Sequence, residues 1–148
     1  MSRTQEIEVL NRVLSILDSS LPNYLNQTSP WLHPSKKNRD ERAREVLADM
    51  VTDQRSFTER ITRMIQLTGE QILTGKFPMD YTKTNDLSLE YLLKTLVHYQ
   101  KQDVKSIEAC FNALPSGCSS SSLIQETLGS ARAHLDALEE LTLAKQNN

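Results

Sequence analysis

The chain has 148 residues, with 17 basic against 19 acidic side chains and a net charge of −2. That length buries a sizeable core without disulfides or metal. The near balance of charge argues against nucleic acid or an anionic membrane as the main partner, because both select a strong basic excess. The longest apolar runs are a few residues, so no membrane span is expected. The opening MSRTQEIEVL lacks the apolar stretch of a secretory signal, which leads to the expectation of a cytoplasmic protein.

Glycine is scarce and the 5 prolines cluster in connections. The periodicity predicts four helices over about 3–27, 39–73, 86–114 and 122–145, in a single domain spanning 1–148. In the first, Ile7, Leu10, Leu14, Leu17, Leu21 and Tyr24 recur at three-four spacing and share one stripe. Ser2 and Gln5 have capping-box spacing at its start. Pro22 should kink or divide this helix, since it lacks the N–H that would bond to Asp18. The segment TSPWLHPSKK breaks the pattern, and Asn38 with Glu41 signals the second helix. Ala43, Leu47, Met50, Gln54, Phe57, Ile61 and Met64 form its stripe. It is expected to run to about Leu73 with Gly75 as the stop, unless Gly69 ends it earlier.

After KFPMDYTKTN, the third helix carries Leu89, Leu93, Leu96, Gln100, Val104, Ile107 and Phe111, and ends before Pro115. Ser122 and Gln125 have capping-box spacing for the fourth, whose stripe is Ile124, Leu128, Ala131, Leu135, Leu138 and Thr142. No segment alternates like a strand. The expected fold is an all-α, up-down four-helix bundle, with a long crossover over 74–85 between the second and third helices.

Three stretches carry a family likeness. LNRVLSILDSSLPNYL resembles the first helix of the bacterioferritin branch of the ferritin-like proteins, EVLADMVTDQRSFTERI resembles their second, and HLDALEEL their fourth. The resemblance implies a ferritin-like bundle whose centre would hold two metal ions through carboxylates and two histidines. Residue by residue, this sequence departs from that pattern. The family's first-helix glutamate falls on Leu17. Its second-helix Glu-x-x-His falls on Met50 and Asp53, or on Asp49 and Thr52 if the register shifts by one. The third-helix glutamate falls near Gln100, and the fourth-helix Glu-x-x-His on Ala131 and His134. Leucine and alanine cannot ligate, and methionine is a poor ligand for hard ions. The resemblance therefore implies the fold and argues against the activity, so neither a metal nor another cofactor is expected.

Buried polar groups must be satisfied, so Asp53, Gln100 and His134 are expected to partner one another, with the Tyr24 hydroxyl completing the network. An Asp53 carboxylate beside His134 would raise the imidazole pKa, against the opposing effect of burial. If any ion binds, His134 and Asp53 are the ligands to expect, with Asp49 or Glu90 in support.

Other chemistry-bearing residues read as structural. His33 and Trp31 lie between prolines in a surface connection. Tyr91, Thr95 and His98 share a helix flank without further ligands at metal-binding spacing. Cys110 and Cys118 form no recognisable motif and are expected as free thiols. The basic SKKNRDERAR reads as a solvated helix start. The preferred function is a non-catalytic bundle acting through protein contacts, as a homodimer through the first two helices or as an adaptor. A second apolar strip on the first helix, Val9, Val13 and Ile16, would be buried between subunits. The alternatives are a diverged metal protein or oxidoreductase with a single ion at His134 and Asp53, and a binder of a small molecule in a pocket beside Leu17 and Ala131.

Overall fold

The computed structural model describes residues 3–28, 37–73, 76–86, 89–115 and 117–146. They form α1 (Arg3–Asp18), α2 (Leu21–Thr28), α3 (Lys37–Gln66), α4 (Leu89–Ala113) and α5 (Ser121–Gln146), with a 3₁₀ segment Met79–Asp86 between α3 and α4. No strand occurs among the described residues, and the fold class is all-α. Ser2, Trp31 and His33 lie outside the described residues, as do the side chains of Asn38 and Glu90.

Pro22 divides the first expected helix into α1 and α2. With no N–H on Pro22, the Asp18 carbonyl instead accepts from the Asn23 side-chain amide at 2.7 Å. Ser20 caps the new helix: its Oγ accepts from the Asn23 backbone N–H at 3.3 Å, and its carbonyl accepts from Tyr24 N–H at 3.1 Å. Pro22 then falls in a first turn, where a missing donor costs nothing.

The second expected helix ends at Gln66, well short of Leu73. Gly69 is the stop. Its φ of +78° is the left-handed conformation that terminates helices. Its N–H donates to Gln66 O at 3.1 Å, and Thr68 N–H donates to Ile65 O at 3.0 Å. The Thr68 hydroxyl adds a second bond to the same Ile65 carbonyl at 2.6 Å. At α5 the start is also displaced. Ser120, whose carbonyl accepts from Ile124 N–H at 3.0 Å, is the cap, while Ser122 and Gln125 are exposed within the helix. The Ser120 hydroxyl is turned to Glu6 Oε1 of α1.

Two apolar clusters reveal the helix directions. One joins Ile7 and Leu10 to Ile61 and Ile65, Cys110 and Leu114, and Leu123 and Ile124. The other joins Leu21 and Leu25 to Ala43 and Leu47, Leu92 and Leu93, and Leu138 and Leu141. The start of α1 therefore meets the ends of α3 and α4 and the start of α5, so α1 and α2 run parallel to α5 and antiparallel to α3 and α4. α1 packs on α3 and α4, and α5 packs on the same two.

Because α3 and α4 run the same way, the segment between them must travel the length of the molecule. It is clamped at one end by Asn11, which donates from Nδ2 to Gln71 O at 3.1 Å and accepts at Oδ1 from Leu73 N–H at 2.8 Å. At the other end Phe77 and Tyr81 pack on Tyr24, with ring centroids 5.3 and 5.6 Å from it.

This arrangement corrects the reading of α1 as an intersubunit surface through its second strip. Val9 and Val13 are buried within the chain, and Ile16 packs against the same cluster. Ile72 of the crossover packs there too, so two strips of α1 are consumed by one core. Among the described residues, no helix is long and apolar enough to cross a membrane.

Candidate functional site

The bundle centre is built from four helices. α1 contributes Ile16 and Leu17, α3 contributes Gln54 and Phe57, α4 contributes Gln100, Asp103 and Ile107, and α5 contributes Thr127, Ser130, Ala131 and His134. Together they line a cavity of about 10 Å³, roughly what a single water requires. That volume leaves no room for a larger organic molecule in the cavity beside Leu17 and Ala131.

Asp53 of α3 stands beside this cavity with its Oδ2 2.9 Å from His134 Nε2. Met50, one turn earlier, is fully buried, whereas Asp49 and Thr52 are exposed. Of the two registers considered for this helix, the one placing Met50 and Asp53 together is thus the one that faces inward. The carboxylate fixes the neutral imidazole as the Nε2–H tautomer, since that nitrogen must donate to it. Ser130, one turn back on α5, has its Oγ 3.3 Å from the same Nε2 and acts as a second, weaker acceptor.

The side chain of His134 is only 12% exposed, and burial pulls its pKa below the ordinary 6.5. The charge and hydrogen bond of Asp53, and then the charge of Asp49, push it up without winning. The expected rise in the imidazole pKa is therefore corrected: loss of hydration exceeds the attraction of a carboxylate that is itself 49% exposed and screened by water. His134 is neutral at pH 7.

The other two members of the expected network are placed differently. Gln100 is buried, and its amide donates from Nε2 to the Ala131 backbone carbonyl at 3.0 Å. It bonds to a main chain, not to His134 or Asp53, and its Oε1 has no hydrogen-bond partner. Tyr24 belongs to the aromatic group with Phe77 and Tyr81 that holds the crossover, and it does not line the cavity. Helix α2 starts afresh after Ser20, so the α1 stripe does not carry Tyr24 to the centre.

Asp103 is the residue that sequence reasoning missed. It lines the cavity, and burial raises its carboxyl pKa from 3.8 to about 7. The signal was present: Gln100, Asp103 and Ile107 have three-four spacing and share a face. Gln54 completes the polar rim, accepting at Oε1 from the Ser20 hydroxyl at 2.8 Å. Nearby, burial pushes Tyr81 well above the ordinary phenol range, with the charges of Asp103 and then Tyr99 adding to the shift.

Among the described residues, the remaining candidates hold no second centre. His98 is exposed and pairs with the Gln102 amide 3.1 Å away. Cys110 is buried, and burial raises its pKa against the Arg12 guanidinium, which lowers it by charge and by hydrogen bond. The net effect keeps it a thiol and a poor nucleophile at neutral pH. Cys118 is half-buried, and both cysteines are free. Arg42, from the basic stretch, makes an exposed ion pair with Glu140 at 3.6 Å. Among the described residues, no three His, Cys, Asp or Glu side chains converge in a way that could hold a metal ion. No protein-family model matches the chain, and no curated protein or solved structure matches it either.

Proposed function

We propose that the chain is a non-catalytic, ferritin-like helical bundle that has given up a di-metal centre and works through protein contacts. The helix directions and the lengthwise crossover support the topology that the sequence resemblance implies. The observation that carries the loss of chemistry is the 2.9 Å contact between His134 and Asp53. It commits the imidazole and its neighbouring carboxylate to each other, while the positions that would supply further ligands are Leu17, Met50 and Ala131, all buried and incapable of bridging ions.

Contacts with another protein chain need exposed apolar surface, and α1 has none to spare on the strip first considered. Leu67 and Leu73, 82% and 56% exposed, flank the Gly69 turn. A second copy of the chain is the simplest occupant of that corner. Sedimentation velocity across a wide concentration range tests this: reversible dimerisation that Leu67→Asp weakens is expected. A species that stays monomeric at every concentration contradicts self-association.

A further inference from the structure

Gln100 is 3% exposed, and its side-chain carbonyl Oε1 has no hydrogen-bond partner. The orientation of the amide is not arbitrary. Its nitrogen end faces the Ala131 carbonyl at 3.0 Å, and turning it over would oppose two carbonyl oxygens. The unpaired atom is therefore an acceptor, and it belongs to a residue lining the central cavity. Buried acceptors of this kind are satisfied in nearly all folded proteins, by protein or by an ordered small molecule.

The cavity wall explains what could satisfy it. Of the hydrogens on that wall, that of the Thr127 hydroxyl and one of the Gln100 amide are given to the main-chain carbonyls of Leu123 and Ala131, and the Ser130 hydroxyl and the Gln54 amide also line it. The Nε2 hydrogen of His134 is given to Asp53. Asp103 brings a carboxyl group one turn from Gln100, on the same face of α4. α1 presents only Ile16 and Leu17. An occupant that satisfies Gln100 Oε1 must donate a hydrogen bond to it, which excludes an anion with no hydrogen to give. At about 10 Å³ it must also be about the size of one water.

We propose that the central cavity is a binding site for one water-sized hydrogen-bond donor, held between the Gln100 side-chain carbonyl and the Asp103 carboxyl. Two species have this chemistry, water and the ammonium ion. Water donates one hydrogen to Gln100 Oε1 and accepts the proton of a neutral Asp103. Ammonium donates to both oxygens and needs Asp103 ionised. The groups sharing the cavity with Asp103 are His134 and Ser130 from α5 and Gln54 from α3, and the Tyr81 phenol of the crossover feels its charge. Among these, the neutral His134 supplies no cation to compensate a charge on Asp103. The raised carboxyl pKa agrees with a site that, without ammonium, prefers Asp103 neutral. This site stands independently of the proposed function, since it requires no relationship to metal proteins.

The test is a high-resolution crystal structure of the wild-type chain, paired with a carbon-13 NMR titration of the Asp103 carboxyl in sodium chloride and in ammonium chloride at equal ionic strength. The expected result is one density peak within about 2.7–3.2 Å of Gln100 Oε1, lost in Gln100→Met. Equal Asp103 titration in the two salts assigns the peak to water. A tenfold or greater loss of proton affinity in ammonium chloride assigns it to ammonium. Continuous density showing no peak at Oε1, or a protein N–H donating to that atom directly, overturns the proposal.

Discussion

His134 Nε2 lies 2.9 Å from Asp53 Oδ2, joining the middle of α5 to the middle of α3 at the point where the two apolar clusters meet. The pair is asymmetric. The imidazole is mostly buried and the carboxylate half-exposed, so the histidine bears most of the cost of lost hydration and is held neutral.

Replacing Asp53 with Asn removes the largest influence that raises the His134 pKa while leaving its burial in place. Proton NMR of the imidazole is expected to show a lower pKa in Asp53→Asn than in wild type. An unchanged or higher value contradicts the balance described. The stability consequence has a definite sign. The folded chain resists protonating His134 while the unfolded chain accepts a proton near 6.5. Stability from this group is therefore complete above that value and declines as pH falls below it. Urea melts at several pH values should show the decline steepened by Asp53→Asn.

Asp103 acts in the opposite direction. Its folded pKa of about 7 lies above the ordinary 3.8, so the folded chain holds an extra proton between those values. Its contribution is complete below 3.8 and is lost as pH rises towards 7. Asp103→Asn, which cannot ionise, is expected to be more stable than wild type at pH 8 by on the order of 2 kcal/mol. The gain should vanish on acidification. A variant less stable than wild type at pH 8 would show that the charged form is satisfied in the fold.

Asn11 holds the crossover by accepting from Leu73 N–H and donating to the Gln71 carbonyl. Asn11→Ala leaves both backbone groups short of a partner and should cost about 2 kcal/mol. Amide exchange reads the effect locally: Leu73 N–H is expected to exchange much faster, while amides in the middle of α5 quicken only by the global loss of stability. Unchanged protection at Leu73 would mean that the crossover is held by its aromatic end alone.

Ser20 serves two helices at once, capping α2 and donating to Gln54 Oε1 of α3. Ser20→Ala should cost roughly 1–2 kcal/mol, measured by thermal or urea unfolding. Ser20→Thr keeps the hydroxyl and is expected to recover much of the loss.

Legibility in the sequence follows the physics of each feature. The apolar stripes at three-four spacing mark every long helix, because burying one face leaves a periodic record. Pro22 marks the division of α1 from α2 for the same local reason, an absent N–H. Asp53 and His134 could be brought together because the register of α3 and the direction of α5 place them at the same level. What was not legible depends on long-range partners. The aromatic group of Phe77 and Tyr81 captures Tyr24 from a distance in sequence, so no count along α2 reveals it. Asn11 looks like a polar interruption in α1 until the crossover is laid against it. Gly69 and Gly75 compete as stops by the same rule, and the first suffices once Thr68 secures the Ile65 carbonyl. Asp103 reads as a flank residue because a charged side chain beside a stripe is ordinarily solvated; its spacing with Gln100 and Ile107 puts it on their face, and the fold half-buries it at the cavity.

The most direct test of the account is a calorimetric titration of the purified wild-type chain with ferrous iron, manganese and zinc, followed by elemental analysis after desalting. With Leu17 and Ala131 lining the centre, Met50 buried in the apolar core and Asp53 bound to His134, less than one ion per chain is expected to remain, and His134→Ala should not change that content. Two ions per chain retained through desalting, and released by His134→Ala, would contradict the account.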